Sequence, residues 1–224
     1  MSGSLPPVIA IDGPSASGKG TIAEAVARHL KFHYLDSGAL YRIVGLIAGE
    51  RGANLDNDLE VSDITLNLNI KFESGRVRVD GRDVSAQIRG EAAGAAASRV
   101  AALPGVRRTL MALQRGFRQP PGLVADGRDM GSVVFPDAGL KIYLTATPEE
   151  RARRRHKQLM EKDSGASMAT LLQDIHDRDL RDSTRAAAPL LKCADAIEID
   201  TTGMPVEDVV ARVLHLYQKL QKTQ

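Results

Sequence analysis

The clearest chemistry in the chain lies in one short run, Gly13-Pro14-Ser15-Ala16-Ser17-Gly18-Lys19-Gly20-Thr21. It follows the pattern G-x-x-x-x-G-K, with the hydroxyl one residue late: Gly20 stands directly after the lysine and Thr21 follows it. The residue types suit a polyphosphate. Backbone N–H groups must come close to phosphate oxygens, so side chains hinder and glycine is favoured. A helix beginning at the loop turns its positive end toward the anion. Lys19 adds a mobile point charge for the terminal phosphates, and Thr21 is the candidate hydroxyl near Mg²⁺. The plain alternative is a flexible Gly/Ser loop with an incidental lysine. The motif implies a bound nucleoside triphosphate but says little about an acceptor, because hydrolases, switches and small-molecule kinases all use such loops.

The arginines form the second set. Arg151, Arg153, Arg154 and Arg155 fall on one expected helix, and Arg178, Arg181 and Arg185, spaced by three and four, are expected to share a helix face with Asp179 and Asp182 interleaved. Guanidinium forks grip phosphate oxygens in pairs, which suits a site that must bring two anions together. Arg151–Arg155 also read as a solvated face paired with Glu149 and Glu150, and neighbouring arginines cannot all face one ligand, so some of them are structural. A nucleic-acid patch is a further reading. The sparse aromatics, four Tyr, four Phe and no Trp, speak against it.

These residues need elements to position them. Val8–Asp12 is an apolar run of strand type ahead of the glycine loop, and Ile22, Val26 and Leu30 mark a helix after it. Further short strands are expected at His33–Leu35, Leu123–Ala125, Lys141–Thr145 and Ala196–Asp200. Helices are expected over Gly38–Gly49, Ala86–Val100, Pro104–Phe117, Pro148–Arg185 (interrupted near Asp163-Ser164-Gly165) and Pro205–Leu220. Short buried strands alternating with helices imply an α/β fold with a doubly wound, five-stranded parallel sheet and helices on both faces. Sites in such sheets lie at the carboxyl ends of strands, where Asp12, Asp36, Asp126 and Asp200 fall. Ile70–Ser85 differs: apolar and charged residues alternate around Ser74-Gly75, which reads as an antiparallel hairpin inside an insertion.

Bulk properties exclude more than they assign. Of 224 residues, 43% are apolar and 26% charged, with a formal net charge of +2, so no global bias points to nucleic acid or an anionic membrane. The single cysteine, Cys193, forms no internal disulfide, and the five histidines show no metal-ligand spacing. No apolar run is long enough to span a membrane, and the N-terminus lacks the features of a signal peptide. A cytoplasmic location is the expectation.

Several segments together resemble the bacterial-type cytidylate kinases, a family of nucleoside monophosphate kinases. They are Ile11–Ser15 with Gly18–Thr21; Leu35–Arg42; Ala125–Gly131 with Val134–Ala138; and Arg178–Asp182 with Arg185–Pro189. The resemblance runs from about Pro7 to the last helix, and Gly-Lys-Gly-Thr is itself that family's form of the loop. It implies a P-loop core carrying an inserted monophosphate-binding domain and a mobile lid. The corresponding stretches are 1–37 (core), 38–102 (insert), 103–153 (core), 154–177 (lid) and 178–224 (core). It implies ATP as phosphoryl donor, held by residues 13–21 and Arg154, with Mg²⁺, and CMP or dCMP as acceptor. Ser37, Arg42, Arg107, Arg128, Asp129, Arg178, Asp182 and Arg185 fall on the acceptor side, and Lys19, Arg128, Arg178 and Arg185 act on the transferring phosphoryl group.

The residue types agree with that implication. A carboxylate such as Asp129 accepts from the cytosine N4 amine, while Arg107 or Arg128 donates to O2 and N3 with Ser37 beside them. The attacking group is a phosphate anion, so no general base is expected. Asp36 or Asp126 is a candidate for the metal's water shell. Plainer roles stay open at this stage: Ser37 as a helix cap, Arg128 or Asp129 in an internal pair, Arg107 as a surface charge. So do rival functions, namely a kinase for another small acceptor and a nucleotide-dependent switch or hydrolase, although no water-positioning side chain stands out for the latter. No nucleic acid or membrane partner is expected, and the oligomeric expectation is a monomer.

Overall fold

The computed structural model describes residues 5–73, 76–160 and 167–222. The chain divides into two compact units, one of residues 1–35 with 117–224 and one of residues 36–116.

In the first unit the strands are β1 (Val8–Asp12), β2 (His33–Asp36, ending at the unit's edge), β6 (Leu123–Gly127), β7 (Leu140–Thr145) and β8 (Ile197–Asp200). They form a five-stranded sheet in the order β2-β6-β1-β7-β8. β1 lies in the middle and runs parallel to both neighbours, with Asp12 opposite Gly127 on one side and Tyr143 on the other. β8 adds to β7 in the same sense, bringing Asp200 opposite Thr145. Every residue of β1 and β6 is buried, as a central parallel strand covered on both faces requires. Ile9, Ile11, Val124, Ile142, Leu144 and Ile199 from the strands pack with Ile22 and Val26 of α1 (Lys19–Leu30) and with Val209 and Val213 of α8 (Val206–Gln221). A smaller apolar cluster, Ala152, Leu159, Leu171 and Ile175, joins α6 (Pro148–Met160) to α7 (Met168–Thr184). The expected interruption at Asp163-Ser164-Gly165, and with it the middle of the 154–177 segment, lies outside the described residues.

The second unit holds α2 (Ser37–Glu50), α3 (Asp58–Leu66), the antiparallel sheet β3 (Ile70–Glu73), β4 (Arg76–Val79) and β5 (Arg82–Asp83), then α4 (Glu91–Val100) and α5 (Pro104–Gly116). The expected hairpin is present with a third short strand; its turn, Ser74-Gly75, lies outside the described residues. α2 and α4 touch through Gly45, where an added Cβ would lie 2.8 Å from Ala96 Cβ. This unit runs past residue 102 to Gly116 because α5 packs on α3: both carboxylate oxygens of Asp58 accept from the Gly105 amide, at 2.8 and 3.0 Å. α3 has no counterpart in the sequence expectations, since its apolar residues do not fall on one face. Its signal was the cap, Asn57 accepting from the Glu60 amide at 3.3 Å. The helix expected over Ala86–Val100 is broken, with a short 3₁₀ turn at Gln87–Arg89 and α4 starting after Gly90.

Candidate active site

The glycine loop joins the carboxyl end of β1 to α1. Gly13 has φ 155°, and a Cβ there would lie 2.1 Å from the Leu144 carbonyl oxygen, so this position excludes any side chain. Gly18 ends the loop in the left-handed region at φ 89° and precedes α1, whose first turn holds no acidic residue. Lys19 Nζ donates to the Pro14 carbonyl at 3.2 Å, so the lysine arches over the loop. Thr21 sits exposed in the first turn of α1.

Two arginines of α6 hold the loop from behind. Arg151 is 3% exposed; its Nε donates to the Ala146 carbonyl at 3.0 Å and its Nη1 to the Ser15 carbonyl at 3.2 Å, and its fork grips the Asp179 carboxylate of α7 at 2.9 and 2.5 Å. Arg154 donates to the Ser17 carbonyl at 3.0 Å and to the Thr201 hydroxyl and carbonyl at 2.9 and 2.6 Å, while Glu150 accepts its Nε at 2.8 Å. In a trans peptide, C=O and the next N–H point in opposite directions. Drawing the Ser15 and Ser17 carbonyls toward α6 therefore turns the following amides, Ala16 and Gly18, to the other side, where an anion would sit. Glu150 is partly buried, which opposes ionisation, yet Arg153 and Arg154 together hold its carboxyl below the usual range. Of the four clustered arginines, Arg153 and Arg155 are engaged at the surface with Glu150 and Gln158.

The second strand end, after β6, carries Arg128 and Asp129, followed by a π-helical turn at Met130–Val134. Arg128 Nε donates to Asp182 Oδ2 at 2.7 Å. Burial works against the charge of both partners. The pair nonetheless favours it: Asp182 holds the Arg128 guanidinium above its ordinary range, and Arg128, Arg185 and Lys19 hold the Asp182 carboxyl below its own. Arg185 Nη2 stands 3.9 Å from Asp129 Oδ1, and its Nε donates to the Ala188 carbonyl at 2.8 Å. Arg128, Asp129, Asp182 and Arg185 are thus brought together, as the internal-pair reading allowed. Arg178 and Arg181 lie within α7 and the Arg185 amide still donates to the Arg181 carbonyl at 3.1 Å, so the three follow one another along the helix, but their exposure differs. Arg178 is half-buried on α7 and Arg181 faces solvent. Arg185 follows the last turn at ψ 139°, where the Ala186–Pro189 stretch folds back so that the Leu190 amide donates to the Asp182 carbonyl at 2.7 Å.

Three expected acceptor residues belong to the second unit. Ser37 opens α2 and is buried, but the helix is capped by Asp36, whose Oδ1 accepts from the Ala39 amide at 3.0 Å. Asp36 is therefore engaged as a cap. Arg42 donates to the Ile88 carbonyl at 3.0 Å. Arg107 is no surface charge: it is 6% exposed, donates to the Ala101 carbonyl at 3.1 Å and lies over the Tyr41 ring, 5.5 Å from its centroid.

A glycine loop held by arginines thus stands at one strand end, and an arginine–carboxylate group at the next. The family profile described as cytidylate kinase matches residues 9–219. The chain belongs to the cytidylate kinase family. A cytidylate kinase of Nitrosomonas europaea is 55% identical over 96% of this chain and 97% of that relative, and one of Chromobacterium violaceum is 53% identical over 96% and 97%. Among solved structures, an uncharacterised protein from Eubacterium ventriosum superposes with a TM-score of 0.50 at 12% identity, over 94% of this chain and 97% of that one. That likeness concerns the fold alone.

Within this cytidylate kinase fold, oxygen donors suited to Mg²⁺ lie beside the loop. Thr21 offers a hydroxyl, and Asp126, held by the Tyr34 hydroxyl at 2.8 Å, has a carboxylate oxygen 3.2 Å from where a Cβ on Gly20 would stand. No cluster of three or more His, Cys, Asp or Glu suited to a metal occurs among the described residues. No helix of the described residues is long and apolar enough to cross a membrane. The sequence expectations placed Arg151 in a cluster of four arginines and Asp12 at a strand end, without giving either a role of its own. Arg151 was hidden among three similar neighbours, and its burial and its hydrogen bonds to Ser15 and Asp179 distinguish it.

Proposed function

We propose that this protein, a phosphotransferase of the cytidylate kinase family, passes the γ-phosphoryl group of ATP to the phosphate of CMP and dCMP. The observation that carries the reading is the pairing of a phosphate loop, its carbonyls drawn back by Arg151 and Arg154, with the Arg128–Asp182 pair at the neighbouring strand end. The loop amides and Lys19 take the ATP phosphates. Arg128, Arg178 and Arg185 neutralise charge on the phosphoryl group and on the acceptor phosphate, with Asp182 fixing the plane of Arg128. Ser37, Arg42, Arg107 and Asp129 recognise the acceptor nucleotide. The acceptor oxygen is already anionic, so what the residues supply is alignment and charge, with no proton to remove. Mg²⁺, held with ATP beside Thr21, would draw charge from the phosphate oxygens. The reading includes a cytoplasmic monomer with no nucleic acid or membrane partner.

Discrimination between bases follows from buried polar groups. Asp129 is 3% exposed, and uracil would set a carbonyl against it where cytosine offers an amine. A mismatch of that kind costs about 1–3 kcal/mol, or about 5–150-fold in kcat/KM. Phosphoryl transfer from ATP to CMP, dCMP, UMP and AMP, measured side by side, tests the reading. CMP and dCMP should lead UMP by that margin. Equal rates for UMP or AMP refute the acceptor, and ATP hydrolysis independent of any acceptor favours a hydrolase instead.

A further inference from the structure

We propose that Asp12 is a positioning residue for phosphoryl transfer, holding through the Met130 and Gly131 amides the turn that presents Arg128 and Asp129 to the acceptor nucleotide. The proposal rests on the acceptor role of those two residues. Asp12 ends β1, directly before the first glycine of the phosphate loop, and is 6% exposed. Its Oδ1 accepts from the Met130 amide and its Oδ2 from the Gly131 amide, both at 2.8 Å. Two consecutive amides converging on one carboxylate form an anion nest, and a nest of this kind fixes the backbone that builds it. The residues held are the two that follow Arg128-Asp129 without a break. One side chain therefore ties the start of the donor loop to the start of the acceptor loop. A Cβ on Gly131 would lie 3.1 Å from Lys141 Cδ, which would have to give way, and 3.4 Å from Asp12 Oδ2, at ordinary contact distance.

The surroundings give the contact a proton dependence. Burial raises the Asp12 carboxyl to about 6 despite the Gly131 and Met130 amides, with Asp129 adding to the rise and Arg128 opposing it. Tyr143 of β7 and Cys193 also feel its charge, and Lys141 of β7, beside Gly131, is occupied by Asp195 at 2.8 Å. Above that value the carboxylate accepts two amides. Below it, one oxygen carries a proton that faces an N–H.

Two substitutions attack the contact from opposite sides. Asp12→Asn keeps the shape but turns an amide NH₂ toward one N–H, and Gly131→Ala crowds the Lys141 chain and sets a methyl against the Asp12 carboxylate. Each should raise the KM for CMP about tenfold at neutral to alkaline pH, with the KM for ATP changed less than about twofold. The ratio of wild-type to Asp12→Asn kcat/KM for CMP, taken at each pH, cancels the titration of the substrate's own phosphate. That ratio should fall toward unity as pH drops through about 6, where wild-type Asp12 takes up its proton. A purely structural role would lower the melting temperature of both variants and leave the ratio flat. Arg128→Met separates the two ideas. If it raises the CMP KM while folded Asp12→Asn and Gly131→Ala do not, the Asp12 proposal alone is overturned. If Arg128→Met also leaves the CMP KM unchanged, the acceptor reading and the proposal fall together. Should Asp12→Asn fail to fold, the KM split in Gly131→Ala decides.

Discussion

Arg151→Met removes the strut between α6, the phosphate loop and α7 while keeping an unbranched side chain in its place. The guanidinium is buried, makes a two-toothed pair with Asp179 and also serves the Ser15 and Ala146 carbonyls. Breaking a buried ion pair by deleting one partner costs about 3–5 kcal/mol, chiefly because the other charge is left without compensation. The Asp179 side chain is 29% exposed and can rehydrate, so the lower end applies, about 3 kcal/mol. A chain of 224 residues melts with an entropy near 0.47 kcal/mol/K, from about 2.1 cal/mol/K per residue, so the melting temperature should fall by about 6 °C. Calorimetry of wild type, Arg151→Met, Asp179→Leu and the double variant measures the coupling. The double variant should be less damaged than the sum of the singles, by about 1–3 kcal/mol. Freed from Arg151, the Ser15 carbonyl no longer fixes the Ala16 amide, and ATP affinity should drop about tenfold. A melting temperature within about 2 °C of wild type, or strictly additive losses, would refute the strut.

With the role proposed for it, in which the lysine meets charge that develops during transfer, Lys19→Ala should lower turnover by about a hundredfold or more and leave CMP affinity nearly intact; near-normal turnover in single-turnover kinetics would remove that role. Asp182→Asn should loosen Arg128 and raise the KM for CMP more than the KM for ATP, as steady-state titrations of each substrate would report. Asp12 also makes stability pH-dependent. Its folded pKa of about 6 lies above the unfolded value, so the folded state holds the extra proton between them, and stability from this group falls as pH rises from about 4 to 6, by up to about 3 kcal/mol. The difference in unfolding free energy between wild type and Asp12→Asn, followed by urea titration across that window, should show this slope with wild type losing ground on the alkaline side. Gly45→Val should destabilise the second unit by about 1–3 kcal/mol through overpacking against Ala96, visible as an earlier melting transition.

The phosphate loop was legible because its chemistry is local. Glycines at Gly13 and Gly18 and the lysine after them are dictated by the backbone path and the anion, and neighbours in sequence are neighbours in space. The strands of the sheet were legible for a related reason. Burial on both faces leaves continuous apolar runs, of which Val8–Ile11 and Leu123–Ala125 are examples. α3 was not, because its place rests on a cap and on Asp58 reaching Gly105 rather than on an apolar stripe. Helical periodicity placed Arg178, Arg181 and Arg185 along one helix but could not say how each is used: Arg178 is half-buried, Arg181 exposed, and at Arg185 the chain leaves the helix.

From the order of residues alone follow a nucleotide-binding α/β chain and the set of charged groups available to it. Which of those groups act as ligands' partners and which as struts depends on distance across long stretches of chain. Arg151 meets Ser15 over 136 positions and Asp12 meets Gly131 over 119. No local pattern encodes such pairings. They arise only when the parallel sheet sets β1 beside β6 and β7 and burial then obliges each charge to find its partner.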